Sequence, residues 1–329
     1  MTTLLVVAEQ HDGAVTAHSL ELCSGASSLA AKVMAVTWGK GSEQAAAALG
    51  EMGAHKVVTI GDLGDLLAAP RVASVLAQQV EESSPEAVFA PATYEGRDIA
   101  ARLSARAALP VIANAVAIER VGDGLVSTHL VFGGRELVRA RFSGAQAGIF
   151  IVKAKSFPLG AAGAPGATTS PARAAPEVVG AQAPELGQAE AARVVSRHVE
   201  RLEGPSLDDA KVVVAGGRGL GGAEHYALVE ELARLLGGAP AASRAIVDAG
   251  WAPYANQVGQ TGRTVKPDVY LAFGISGATQ HLVGMKDARH IVAVNTDAEA
   301  PLIQVADLGI VGDVHQVLPR LIAALKARP

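Results

Sequence analysis

The chain has a single cysteine, Cys23. One thiol excludes an intrachain disulfide and any cysteine-rich zinc or iron–sulfur site; Cys23 reads as a small, partly buried apolar residue. Aromatic residues are scarce, at 4% of 329 positions, while half of all residues are hydrophobic. The cores therefore have to be built from Val, Leu, Ile and Ala, which suits parallel strands covered by helices. Charged residues reach only 18%, the net formal charge is -4, and no block of one sign stands out. Nothing in that distribution attracts a nucleic-acid backbone. No apolar run is long enough to cross a bilayer, so no direct membrane insertion is expected. The opening Thr2-Thr3-Leu4-Leu5-Val6-Val7-Ala8-Glu9 has no basic stretch before its short apolar run. It reads as a first strand and not as a signal peptide, which predicts a cytoplasmic bacterial protein. The histidines show no HxxxH spacing and no Cys/His pairing, so none is read as a metal ligand.

The length predicts two domains, placed at 1–190 and 191–329. In the first, Leu4–Ala8, Lys32–Trp38, Lys56–Ile60 and Ala87–Pro91 read as short buried strands. They alternate with helical stretches at Ser42–Leu49, Arg71–Glu82 and Arg97–Ala107. This is an α/β pattern with a parallel sheet. After Pro110 the texture becomes consecutive strands: Val111–Ile118, Leu125–Phe132, Glu136–Phe142 and Gly148–Lys153. An antiparallel extension of the sheet is expected there. Ser156–Gln188 is rich in Ala, Gly, Thr, Ser and Pro and reads as an exposed connection. Arg193–Leu202 reads as a strand. The second domain again alternates, with strands expected at Lys211–Ala215, Ala245–Asp248, Val269–Phe273, His290–Asn295 and Leu308–Val311, and helices at Ala223–Leu236 and Val314–Ala327. It reads as a doubly wound parallel sheet.

The strongest local motif runs from Val212 into Gly216-Gly217-Arg218-Gly219-Leu220-Gly221-Gly222. Gly217, Gly219 and Gly222 have the GxGxxG spacing that lets backbone approach a phosphate at a helix start. Glycines at a strand–helix turn can equally serve packing. Asp248, at the end of the next expected strand, keeps a dinucleotide-binding reading open. The other expected strand ends also carry polar or glycine-rich loops: Ser243-Arg244, Gln257-Val258-Gly259-Gln260-Thr261-Gly262, Gly274-Ile275-Ser276-Gly277-Ala278-Thr279-Gln280-His281, Asn295 and Asp313. A single GxGxxG site needs one loop; five loops suit a long ligand lying across the sheet edge.

Taken in order, Gly-Gly-Arg-Gly, Ala-Ser-Arg-Ala-Ile-Val-Asp-Ala-Gly-Trp, Gln-Val-Gly-Gln-Thr-Gly, Gly-Ile-Ser-Gly-Ala-Thr-Gln-His and Val-Asn-Thr-Asp-Ala-Glu-Ala-Pro-Leu-Ile resemble the electron-transfer flavoprotein α-subunit family from Lys211 onward. The first half is similar more loosely, in its element order and in Thr93-Tyr94-Glu95-Gly96-Arg97-Asp98. The resemblance implies FAD on the second domain, held by Arg218, Ser243, Arg244, Val258, Gly259, Gln260, Thr261, Ser276, Gly277, Ala278, Thr279, Gln280, His281, Asn295 and Asp313. It assigns Arg244 to the flavin ring, the Thr261 hydroxyl to N5, His281 to O2, and the amides of the Ser276–Gln280 loop to the pyrophosphate. It implies an electron carrier without substrate chemistry of its own. The first domain would pack against a β subunit that carries AMP. Flavoprotein dehydrogenases such as acyl-CoA dehydrogenases would donate, and a quinone oxidoreductase would accept. Two other readings stay open at this point. One is an NAD-dependent oxidoreductase built on Gly217–Gly222 and Asp248; it needs a catalytic His or Lys beside the nicotinamide, and none can be placed. The other is a colourless nucleotide-binding or assembly module.

Overall fold

Leu4, Leu5, Val6 and Val7 are all 0% exposed, the mark of a strand covered on both faces. In the computed structural model, which describes residues 2–132, 136–144, 147–157, 175–196, 205–207 and 210–327, they form β1 (Thr3–Val7), the centre of a seven-stranded parallel sheet. A small hairpin, β2 (Gln10–His11) with β3 (Ala14–Val15), leads to helix α1 (Ala17–Leu29). Then come β4 (Lys32–Trp38), α2 (Ser42–Glu51), β5 (Lys56–Ile60), α3 (Ala68–Ser83), β6 (Ala87–Pro91) and α4 (Tyr94–Ala107). The chain winds from β1 through β4 to β5 on one side, then crosses to β6 on the other. Thr93 caps α4 by accepting from the Gly96 amide at 2.9 Å. A Cβ at Gly96 would lie 2.2 Å from the Pro91 carbonyl oxygen. That motif thus seats α4 against the end of β6.

The strands after Pro110 do not form one antiparallel extension. Val111–Ile118 divides into β7 (Val111–Ala115) and β8 (Ala117–Val121). Next come β9 (Gly124–Val131), β10 (Glu136–Ala140) and β11 (Gly148–Val152). The middle three, β8, β9 and β10, make a separate antiparallel sheet. In contrast, β7 and β11 join the main sheet in parallel, and β11 inserts between β6 and β7. Burial explains the division. Every residue of β11 is buried, as an interior strand requires, whereas β9 alternates. Within the Ser156–Gln188 stretch, β12 (Glu177–Ala181) adds an edge strand parallel to β5; residues 158–174 lie outside the described residues. Arg193 makes one isolated bridge to Leu66. No strand continues through 194–196, and 197–202 lie outside the described residues.

The second sheet is built from β13 (Val212–Gly216), α5 (Tyr226–Leu235), β14 (Ala239–Ala242), α6 (Arg244–Asp248), β15 (Val269–Phe273), α7 (Thr279–Leu282), β16 (His290–Asn295), α8 (Pro301–Val305), β17 (Leu308–Val311) and α9 (Val314–Lys326). Its order is β14-β13-β15-β16-β17, all parallel. Val213, Ala215, Tyr270, Ala272, Ile291 and Ala293 face one core. Val214, Phe273 and Val294 face the other, against Val229 and Leu232 of α5 and Leu318 and Ile322 of α9. Ala245–Asp248 is therefore helix and not strand. The strand lies earlier, at Ala-Pro-Ala-Ala, which carries none of the β-branched residues that signal one. The chain divides into two compact units, Met1–Val131 with Arg135–His198, and Val199–Pro329 with Phe132–Gly134. No helix among the described residues is long and apolar enough to cross a membrane.

Candidate functional site

Five parallel strands put five carboxyl ends on one edge of the second unit's sheet. From β13 the chain goes to β14 on one side and then to β15 on the other. The switch point, where open α/β sheets bind ligands, lies between β13 and β15. There the glycine loop meets the loop after β15. Gly217 and Gly219 donate to the carbonyls of Phe273 and Gly274 at 2.9 and 3.0 Å. A Cβ on Gly217 would sit 2.4 Å from the Gly274 oxygen, and one on Gly219 2.6 Å from the Gly274 Cα. Gly274 itself has φ +66°. Gly217, Gly219 and Gly274 are required by backbone packed on backbone, so two glycines of the GxGxxG spacing have a structural cause here; at Gly222 a Cβ would meet only the Glu224 carboxylate, at 2.5 Å.

Asp248 ends α6 and not a strand. Its Oδ2 lies 3.2 Å from Arg244 Nε, both side chains being largely exposed. The acid on which the dinucleotide reading relied is therefore engaged one helical turn from Arg244 instead of ending a strand. Ser243 precedes Arg244 at the N-cap of α6 and makes no side-chain cap bond. Arg218 stands exposed just beyond β13.

The Gln257–Gly262 loop packs directly on the start of α7. Val258 is buried and donates to Ala242 at 3.0 Å, and Gln260 N donates to Gln280 O at 2.7 Å. Gly259 has φ +140°, and a Cβ there would meet the Gln280 carbonyl at 2.8 Å. Thr261 Oγ1 accepts from Gln257 Nε2 at 3.0 Å. Since that hydroxyl accepts from protein, its own proton is free to donate outward. Tyr254 Oη anchors the Thr261 carbonyl at 3.0 Å.

After β15, Ser276, Ala278 and Gln280 are exposed, Thr279 is half-buried, and Gly277 is buried with φ +85°. Neither Gly277 nor Thr279 donates a backbone hydrogen bond among the described residues. His281 is 6% exposed. Its Nε2 lies 3.0 Å from Tyr270 Oη, and its Nδ1 is buried without a hydrogen-bond partner. Burial holds its pKa down to about 4, with the Val258 carbonyl acting weakly the other way. Asn295 is tied into the scaffold. Its Nδ2 donates to Ile275 O at 3.0 Å and its Oδ1 accepts from Asp297 N at 3.1 Å. Asp313 caps α9 through Oδ1, which accepts from His315 N at 2.9 Å.

The expected residues lie at or beyond the carboxyl ends of the strands of the second sheet: Arg244 on α6, Thr279, Gln280 and His281 on α7, Asn295 at the end of β16, and the others on the connecting segments. Gln257, Tyr254 and Tyr270 were not among those expected. Gln257 stands inside a quoted motif, but its buried amide reads as ordinary until Thr261 is found beside it. Tyr270 reads only as an apolar strand residue. No cluster of three or more metal-ligating side chains occurs among the described residues. In the first unit a cavity of about 230 Å³ opens beyond β1, β4 and β5, lined by residues including Gln10, Trp38, Lys40 and Asp62. Two of its polar side chains are engaged within the lining: Gln10 Nε2 donates to the Trp38 and Lys40 carbonyls, and Asp62 Oδ1 accepts from Gly64 N.

Comparison with known proteins matches residues 206–286 to the family described as electron transfer flavoprotein FAD-binding domain, and residues 4–184 to the electron transfer flavoprotein domain. The electron transfer flavoprotein subunit alpha of Mycobacterium leprae is 38% identical over 331 residues, covering 100% of this chain and 99% of its own. The same-named protein of Mycobacterium tuberculosis is 39% identical over 330 residues, with 100% and 99% covered. That of Syntrophomonas wolfei is 37% identical over 325 residues, with 98% of each covered.

Proposed function

The chain belongs to the electron transfer flavoprotein α-subunit family, and on that premise we propose that it holds one FAD across the carboxyl edge of its second sheet and shuttles electrons between protein partners. The observation that carries this reading is a set of donors at one edge with no protein acceptor: the buried His281 Nδ1, the Thr261 proton, and the amides of Gly277 and Thr279. Of these, His281 Nδ1 is buried, where an unpartnered polar atom costs about 1–3 kcal/mol; the exposed Thr261 hydroxyl and the loop amides are open to a ligand rich in oxygen and heteroaromatic nitrogen. The glycines at 259 and 277, both at positive φ, let these loops close on their neighbours: a Cβ would meet the Gln280 carbonyl oxygen at 2.8 Å and the Leu302 amide nitrogen at 2.4 Å.

The bound flavin supplies reversible one- and two-electron chemistry. This chain's own residues hold and tune it. Arg218 and the amides of Ser276, Gly277, Ala278, Thr279 and Gln280 serve the phosphates. Because α7 has only four residues, the free amides and not a helix dipole do this. Thr261, oriented by Gln257, donates a hydrogen bond to the ring, and Arg244 lays its flat cation beside it. Val258, Gly259 and Gln260 form a wall, with Ser243 at its end. Asn295 and Asp313, each partly committed to the scaffold, have one further polar position for the ribityl or adenosine portion.

The first unit packs against a β subunit that carries AMP, in a cytoplasmic heterodimer. Donors are flavoprotein dehydrogenases such as acyl-CoA dehydrogenases, and the acceptor is a quinone oxidoreductase. The dinucleotide-dehydrogenase alternative is disfavoured by the α6 position of Asp248 and by the closed packing of Gly217 and Gly219 on Gly274. Co-expression with a β subunit tests the reading. A yellow heterodimer with about one FAD, bleached by dithionite, is expected; a colourless complex that gains no flavin on incubation with FAD would overturn it.

A further inference from the structure

His281 has a partner that its own loop does not supply. Tyr270 lies on β15, is 0% exposed, and places its Oη 3.0 Å from His281 Nε2. The two rings meet edge-on, 6.2 Å apart. Among the described residues the phenol has no other hydrogen bond, and His281 Nδ1 has none at all.

A neutral imidazole has one N–H and one bare nitrogen. Two assignments are therefore possible. If Nε2 carried the proton, the phenol would accept it, and two buried groups would be left over: the phenol's own proton and a bare Nδ1. If Nε2 is bare, the phenol donates into it and only the Nδ1–H is left over. The second assignment leaves one fewer buried polar group unsatisfied, and each such group is costly. The Val258 carbonyl faces the ring without closing a hydrogen bond within normal limits. A carbonyl is complemented by an N–H and not by a bare nitrogen, which favours the same assignment.

We propose that Tyr270 is a positioning residue that donates to His281 Nε2, fixes the Nδ1–H tautomer, and so makes His281 a hydrogen-bond donor, and never a base, toward the cofactor edge. The tautomer stands on geometry alone; its role toward the cofactor rests on the FAD reading above. Reduction adds electron density to a flavin, and a fixed N–H stabilises the reduced ring more than the oxidised one. A bare nitrogen in its place would do the opposite. Tyr270 suits the task because its phenol, pushed far above its ordinary range by burial, cannot lose the proton it donates.

The test uses the full chain in complex with its β subunit, with ¹⁵N-labelled histidine. Long-range proton–nitrogen spectra distinguish a protonated Nδ1 from a protonated Nε2, and the His281 signals are identified by their loss in His281→Asn. The wild type should show Nδ1 protonated and Nε2 bare. Tyr270→Phe keeps the ring and removes the donor, so His281 should shift toward the other tautomer. The equilibrium constant for uptake of the first electron should fall roughly three- to tenfold, the worth of one neutral hydrogen bond, with FAD content unchanged. A wild-type His281 protonated on Nε2 would overturn the proposal. So would an unchanged tautomer and electron equilibrium in Tyr270→Phe. If that variant does not fold, the wild-type spectrum still decides. Wild-type protein without flavin would sink the FAD reading instead, while its nitrogen spectrum would still report the tautomer.

Discussion

Arg244 is an exposed helix residue to which the proposed reading gives a second purpose. In the chain by itself it is an exposed residue ion-paired to Asp248 at i+4, the plainest surface arrangement a helix offers. Such pairs contribute about 0–1 kcal/mol, so Arg244→Ala should change the chain's stability by less than about 1 kcal/mol. Its effect on the cofactor should be larger. A charge-assisted contact contributes roughly 1.5–3 kcal/mol, and about 1.4 kcal/mol corresponds to about 59 mV for one electron. Arg244→Ala should therefore lower the first one-electron potential by roughly 60–130 mV with FAD still bound. Arg244→Lys should fall between, since it keeps charge and loses the flat surface. Spectroelectrochemical titration of the heterodimer checks both; an unchanged potential in Arg244→Ala would leave this arginine as a surface pair only. At this scale the sequence speaks most where a residue's chemistry is its own: an arginine, a threonine hydroxyl or an imidazole beyond a strand end suggests a polar ligand before any neighbour is known. It was silent where the role depends on a neighbour. Gln257 and Tyr270 are a buried amide and a strand aromatic until Thr261 and His281 stand beside them, and Asp248 changes meaning once its strand proves to be a helix.

Among elements, those with strong local patterns were legible. The apolar strands β1, β4, β5 and β6 are legible almost to the residue, because burial on both faces leaves a continuous apolar run. Those whose pattern is blurred were not. Helix α1 was missed because its buried face includes Ser19, Glu21, Cys23 and Gly25, and Glu21 is buried only because it accepts from the amides of Lys155 and Phe157, each at 2.7 Å. Similarly β14 is too short and Ala-rich to signal a strand, and β12 lies inside a Pro- and Ala-rich stretch. The glycine loop leaves two reasons open in the sequence, ligand approach and packing, and packing is the one the contacts of Gly217 and Gly219 show. Gly217 has extended backbone, φ -130°, which alanine adopts freely, so the cost of Gly217→Ala is steric. Its Cβ would press on the Gly274 carbonyl and force the two switch-point loops apart. The variant should lose about 1–3 kcal/mol in the second unit, a typical cost of overpacking, even with FAD absent. If ligand approach alone demanded the glycine, stability without FAD would not change. Urea unfolding of FAD-free protein reads this in a Trp38→Phe background, where Trp251 alone reports on the second unit.

Over the whole molecule, strand–helix alternation made the α/β class and its two parallel sheets legible. The insertion of β11 between β6 and β7 was not, because pairing between distant segments leaves no trace in local pattern. The two units also differ in how burial treats their titratable groups, and that difference is measurable. In the second unit, burial lowers His281 from 6.5 to about 4. The unfolded chain then binds this proton before the folded one does, so the associated stability is full above pH 6.5 and is lost as pH falls toward 4. The first unit holds His18, lowered by burial to about 4 in the same way. It also holds Glu9, whose carboxyl burial raises from 4.5 to about 7 despite a hydrogen bond from Thr93. Glu9 has the opposite sign: its contribution is present below pH 4.5 and is lost as pH rises through 7. Between pH 6.5 and 4.5 Glu9, joined by Glu21, whose carboxyl burial also raises, therefore offsets His18 in the first unit. Among the shifted groups described in the second unit, nothing offsets His281. At about 1.4 kcal/mol per pH unit for one proton, acidification over that window should cost the second unit about 2–3 kcal/mol and the first unit less than about 1 kcal/mol. The two tryptophans, one per unit, make the comparison clean. Trp38→Phe leaves Trp251 to follow the second unit, Trp251→Phe leaves Trp38 to follow the first, and in each case the unit being observed is unaltered. His281→Asn should flatten the pH dependence of the second unit and leave that of the first unchanged. A slope in the second unit that persists in His281→Asn would mean that another group, and not this buried imidazole, sets its response to acid.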